Sequence, residues 1–173
     1  MRIVTTPMCE EIVKIAGASH YKVNKNPDLE EGDLAILLSE SKVKMKSLPV
    51  KLNTPIQIFN SIQKVSKSLN NELSNNEILE FFKEYEMSVK YLENHNNPHV
   101  KVKVYSNFLK DIILNIGFKI VDEDYDYVIY PDYMKNKVLN ENHKLIEIPT
   151  HNNADKNPFE RIEIRYSILE KLI

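Results

Sequence analysis

Apolar and polar positions follow one another in the same order in two stretches of this chain. Ile3-Val4-Thr5 runs into a helical stripe of Met8, Ile12, Ile15 and Ala16 that stops on Gly17. One hundred positions later, Lys103 to Gly117 repeats the arrangement. The echo continues, because Asp33-Leu34-Ala35-Ile36-Leu37-Leu38-Ser39 has the pattern of Asp126-Tyr127-Val128-Ile129-Tyr130-Pro131-Asp132. Each copy then offers a Lys-Leu strand, a proline and a closing helix. The pattern predicts a single α/β domain over 1–173, with pseudo-repeated strand-helix-strand units at about 1–69 and 100–173. Each unit is too small to bury its faces alone, so the two are expected to share one core and one central mixed sheet.

Leu34 to Leu38 is continuously apolar, the mark of a strand covered on both faces near a sheet centre. Strands are also predicted at Arg2–Thr5, Tyr21–Val23, Pro49–Leu52, Val100–Tyr105, Lys119–Val121, Tyr127–Tyr130 and Lys144–Ile148. Thr6 reads as an N-cap with Pro7 in the first turn, and Thr54-Pro55 repeats that device before a helix over Ile56–Leu69. Ser74-Asn75-Asn76-Glu77 is a capping box for a further helical segment at about 74–94, which has no counterpart in the second copy. The plainest role for that segment is to cover a sheet face; a dimer contact or a lid are the alternatives. Asn94 to Pro98 is a polar linker, and the last helix starts near Pro158.

Composition narrows the picture. The 173 residues contain one cysteine, Cys9, which excludes an intrachain disulfide and fits a reducing, cytoplasmic setting. The N-terminus turns polar too quickly for a signal peptide, and no apolar run approaches a membrane span. A net charge of −2 gives no basic surface of the kind nucleic acid requires. With glycine only at 17, 32 and 117, there is neither a dinucleotide fingerprint nor a P-loop.

The remaining candidates for chemistry cluster at predicted strand ends, where ligands bind in α/β sheets. Thr5 and Thr6 stand at a strand-to-helix turn suited to an anion, and Ser106 and Asn107 repeat that chemistry in the second copy. Lys25 follows the second strand. Ser39, Glu40, Ser41 and Lys42 end the most buried strand, with Glu40 placed to hold Mg²⁺ and Lys42 to neutralise phosphate. Asp132 supplies a second carboxylate for a metal, and Thr150 and His151 follow the Lys144–Ile148 strand. For each group the plain alternative is a cap or a solvated loop. Cys9 could act as a nucleophile, although packing is the commoner role of such a cysteine. His95 and His99 stand four apart, but Pro98 and the asparagines around it favour a linker over a metal site.

Over its first quarter, through Ile3-Val4-Thr5-Thr6-Pro7-Met8-Cys9-Glu10-Glu11-Ile12, Asn24-Lys25-Asn26-Pro27-Asp28 and Gly32 to Ser41, the chain resembles a small methanogen family. That family comprises the guanylyltransferases of iron-guanylylpyridinol (FeGP) cofactor biosynthesis, which serves Fe-hydrogenase. The resemblance implies a homodimeric enzyme that joins a pyridinol hydroxyl to the α-phosphate of GTP and releases pyrophosphate, on a fold related to the nucleoside triphosphate pyrophosphatases. The chain departs where such a pyrophosphatase usually carries a lysine soon after its first strand, since Pro7-Met8-Cys9-Glu10 intervenes. The expectation is therefore a Mg²⁺-dependent nucleotidyltransferase acting on GTP and a pyridinol. Lys25 and Lys42 would carry charge neutralisation; Thr5, Thr6, Ser39, Ser41, Ser106, Asn107, Thr150 and His151 would hold substrate; Glu40 and Asp132 would bind metal. The rivals are a nucleoside triphosphate pyrophosphatase and a non-catalytic small-molecule-binding protein. The paired halves and the absence of a strong catalytic motif favour the latter.

Overall fold

The computed structural model describes residues 1–150 and 153–173. In chain order the first half contains β1 (Ile3–Thr5), α1 (Glu10–Ile15), β2 (Tyr21–Val23), β3 (Leu34–Leu38), β4 (Ser47–Val50) and α2 (Pro55–Ser68). The short helices α3 (Asn75–Glu80) and α4 (Glu86–Lys90) follow. The second half contains β5 (Lys101–Val104), α5 (Asn107–Ile116), β6 (Lys119–Ile120), β7 (Tyr127–Pro131), β8 (Lys144–Ile148) and α6 (Pro158–Glu170).

The expected single mixed sheet is instead two separate four-stranded sheets, in the orders β2-β1-β3-β4 and β6-β5-β7-β8. Every pairing is parallel. Among the described residues the halves are joined by side-chain burial and not by a strand ladder. Ile3, Leu34 and Ile36 of one sheet share an apolar cluster with Val102, Ile129 and Ile148 of the other, and residues of α1, α2, α5 and α6 complete it. The shared core was foreseeable because neither half could bury its inner face alone. The sheet boundary was not, because an apolar strand reads the same whichever sheet it joins.

The internal repeat extends to hydrogen bonds. Asp33 and Arg2 exchange backbone-to-backbone and backbone-to-carboxylate bonds, with Arg2 N donating to Asp33 Oδ2 at 2.6 Å. Asp126 and Lys101 do the same, with Lys101 N donating at 3.0 Å. Gly17 and Gly117 both close their helices at φ +87°, a left-handed conformation that suits glycine.

Two local expectations are corrected. Thr6 does not cap α1: a turn from Thr6 O to Cys9 N (3.0 Å) comes first, and the helix begins only at Glu10. The predicted segment at 74–94 is interrupted at residues 81–85, where Tyr85 takes an extended conformation. Aromatic packing accounts for the break, since Phe82 meets the Phe159 ring edge-on at 5.0 Å and Tyr85 stacks on it at 4.8 Å. Helix α4 covers α6, and the Glu163 carboxylate of α6 accepts from Met87 N and Ser88 N at the start of α4. This satisfies donors that a helix start leaves free.

Candidate functional site at the seam of the two halves

Parallel pairing collects all carboxyl ends of the strands on one edge of each sheet, the edge where α/β proteins bind ligands. Two cross-half contacts bring those edges together. Arg161, in the first turn of α6, lies with Nη1 3.9 Å from Met8 Sδ in the turn after β1. In the complementary contact, Asn53 and Gln57 at the start of α2 donate to Asp111 Oδ2 of α5, at 3.1 and 2.9 Å. The seam therefore lies between corresponding parts of the repeat.

Arg161 and Arg165 form the centre of this seam. They stand one helical turn apart on α6 and are 3% and 5% exposed. Arg161 Nη1 donates to the carbonyls of Asp155 (3.0 Å) and Lys156 (2.7 Å), while Arg165 donates twice to Pro149 O and lies over the Phe108 ring. Among the described residues neither guanidinium has a carboxylate within ion-pair distance. Burial pushes each guanidinium down to about 10, so both remain cationic at neutral pH, and the charge of Arg161 adds to the depression at Arg165.

Two acids favour these charges from beyond ion-pair distance, Asp155 for Arg161 and Asp132 for Arg165. Asp132, at the end of β7, accepts from Thr150 N (3.0 Å), Asn153 Nδ2 (2.8 Å), Tyr133 N (2.9 Å) and the Thr150 hydroxyl. These bonds outweigh its partial burial and hold its carboxyl below the ordinary range. Cys9, fully buried beside Arg161, is pushed up to about 11 by desolvation and stays a neutral thiol, which removes it as a ready nucleophile.

The other residues picked out in the sequence are dispersed around this centre. Thr5 is buried and its hydroxyl is committed to Ile36 O at 2.8 Å within the sheet. Thr6 is half-buried in the turn before α1. Ser106 caps α5 by accepting from Leu109 N, and Asn107 is exposed beside it. Lys25, Ser39, Glu40, Ser41 and Lys42 are all exposed; Ser39 Oγ donates to Glu40 Oε1. Thr150 is buried at the seam, and His151 lies outside the described residues. Arg161 and Arg165 lie on α6, outside the strand ends from which those candidates were drawn. The signal was present: of three arginines in a lysine-rich chain, two sit four apart among Ile162, Tyr166 and Leu169, on the buried side of the last helix.

No protein-family profile matches the chain, and no curated protein matches it at the sequence level. Its fold is nonetheless that of several solved structures. One is the laminin-binding protein Lbp of Streptococcus pyogenes (TM-score 0.60, 11% identity, covering 98% of this chain and 97% of that one). Another is a zinc-bound variant of AdcAII from Streptococcus pneumoniae (TM-score 0.61, 11% identity, 99% and 97%). A third is the nickel complex of the binding protein FpvC from P. aeruginosa (TM-score 0.60, 10% identity, 99% and 97%).

These likenesses, at full length, overturn the guanylyltransferase resemblance drawn from the first quarter of the chain. With it go the relation to the nucleoside triphosphate pyrophosphatases, the transferase activity, Mg²⁺ as cofactor, GTP and a pyridinol as partners, and the homodimer that resemblance implied. The cytoplasmic expectation is corrected as well, since structures of this fold include a metal-dependent lipoprotein of Bacillus subtilis and a periplasmic metal-binding protein. Among the described residues no three His, Cys, Asp or Glu side chains converge to hold a metal ion. The described histidines lie away from the seam: His20, His99 and His143 precede β2, β5 and β8, and His95 Nε2 donates to Lys90 O at 2.8 Å.

Proposed function

We propose that this chain is a solute-binding protein with no chemistry of its own, whose two halves hold a small solute at their seam. The observation that carries this reading is the approach of two parallel-sheet edges across the Met8–Arg161 contact, with two cations buried where the edges meet. The full-length likeness to proteins described as binding laminin, zinc or nickel supports a binding role over catalysis. By the same likeness its place of work would be outside the cytoplasm.

A ligand that binds only the folded state raises the melting temperature with its concentration. Thermal melts against zinc, nickel and manganese chlorides, phosphate, sulfate and malonate test the reading directly. We expect one class to give a saturable rise while the solute is recovered unchanged. Failure of every solute to move the transition, or chemical conversion of the one that does, would overturn it.

A further inference from the structure

Resting on that reading, we infer that the solute is a small oxyanion, bound between the guanidinium groups of Arg161 and Arg165, and not a bare metal cation. A buried cation is tolerated when it is paired, and here two are placed one helical turn apart with no carboxylate in ion-pair range among the described residues. Mutual repulsion adds to the penalty. Backbone carbonyls of Pro149, Asp155 and Lys156 meet only part of their donor capacity: Nε and Nη2 of Arg161 and Nη1 of Arg165 make no hydrogen bond among the described residues and keep a residual opening to solvent through which an anion could meet them. A guanidinium presents its donors in a planar fork matched to a pair of oxygens.

The surrounding groups agree with an anion. The thiol of Cys9 is neutral, so it supplies no counter-charge to Arg161. Of the two acids whose charge acts on the pair, Asp155 on Arg161 and Asp132 on Arg165, neither forms an ion pair among the described residues, and Asp132 is held by Thr150, Asn153 and Tyr133, which turns its acceptor oxygens toward its own loop. Glu40 is exposed on the first half. A divalent cation placed at this centre would meet two positive charges and no cage of three ligating side chains among the described residues. An oxyanion would meet free donors and relieve the repulsion. Because both arginines are almost fully buried, entry requires the halves to part across the Met8–Arg161 contact, so binding favours the closed arrangement.

The chain has three arginines, and Arg2 is exposed at the opposite end of β1. Arginine side-chain ¹⁵N–¹H NMR of the intact protein therefore gives three Nε signals, of which Arg2→Lys identifies one. Phosphate, sulfate and malonate are titrated separately, with sodium chloride at matched ionic strength as the control, to separate a tetrahedral oxyanion from a dicarboxylate. We expect saturable movement of the two buried signals with one of these anions, no movement with chloride, and a rise in melting temperature of about 5–10 °C at a hundredfold excess over Kd. Arg165→Gln is expected to abolish both responses; the NMR titration of the unmutated protein stands even where that variant folds poorly. If the buried signals do not move with any oxyanion while zinc or nickel raises the melting temperature, the inference is overturned and the binding role survives. If no solute acts at all, both fall.

Discussion

The two halves share a strand order, and the outward faces of β3 and β7 are both apolar and buried, yet the outward position on the neighbouring strand is apolar in one half and charged in the other. In the first half the outward positions Val4, Ala35 and Leu37 are apolar and at most 1% exposed. Gly32 passes so close that a Cβ there would stand 2.5 Å from Val4 Cγ2. In the second half the residue at the Val4 position is Lys103, paired with Val128 as Val4 is paired with Ala35. Lys103 donates to Glu141 at 2.8 Å and lies over the rings of Tyr105 and Tyr125, whose hydroxyls also donate to Glu141. A repeated fold thus constrains the inner faces, which share one core. Each outer face is free to be covered by whatever its own loops supply.

Exchanging the two residues gives the largest expected effect. Val4→Lys would place an ammonium at a fully buried apolar position, a change of the kind that costs about 3–5 kcal/mol, and a chemical denaturation midpoint measures it. Lys103→Val leaves Glu141 bonded to two tyrosine hydroxyls at a partly buried site, and should lower Tm by no more than about 3 °C. Equal losses in the two variants would show that the outer faces are not energetically distinct.

The helix-closing glycines give the next effect. Gly17 and Gly117 have the same φ of +87°, so alanine brings about 1–2 kcal/mol of left-handed strain at either. Their surroundings differ. A Cβ at Gly17 would stand 2.2 Å from Asn71 Nδ2, the tip of a side chain that can swing away. A Cβ at Gly117 would stand 2.2 Å from the backbone carbonyl oxygen of His95, in a segment tied by His95 N to Asn115 O and by Asn97 N to Gly117 O. Gly117→Ala should therefore cost more than about 3 kcal/mol and Gly17→Ala about half of that, measured by urea unfolding.

The repeat was legible because period and punctuation both recur: Leu34–Leu38, Asn107–Ile116, Lys144–Ile148 and the capping box at Ser74 fall where the pattern places them. The break at 81–85 was hidden because Phe82, Tyr85 and Val89 keep helical spacing through it, and only the distant Phe159 decides otherwise. The seam was partly legible. Strand ends lead to Thr150 and Asp132, whereas Arg161 and Arg165 are embedded in an apolar helix face away from any strand end. Short-range likeness over the first quarter misdirected the function, because a strand, a turn and a buried strand recur in many α/β folds.

Acid sensitivity separates the halves by the smallest effect. The Lys103 ammonium, followed by the hydroxyls of Tyr105 and Tyr125, brings the Glu141 carboxyl down from an ordinary 4.5 to about 2. A depressed carboxyl contributes stability in full above its unfolded value of 4.5, and that contribution is lost as pH falls toward 2. In the first half Asp33 is also held below its ordinary 3.8, by the backbone N–H and then the guanidinium of Arg2, so its contribution fades only below that value. Melting curves from pH 6 to 2 should show Glu141→Gln flattening the decline that begins near 4.5, whereas Asp33→Asn alters only the steeper part below 3.8. Both carboxylates act at surface-facing sites, so salt should shrink both effects. The contrast fails if Glu141→Gln retains the parent curve between 4.5 and 3.8, because the charged cluster on the second sheet would then be a packing arrangement indifferent to its own ionisation.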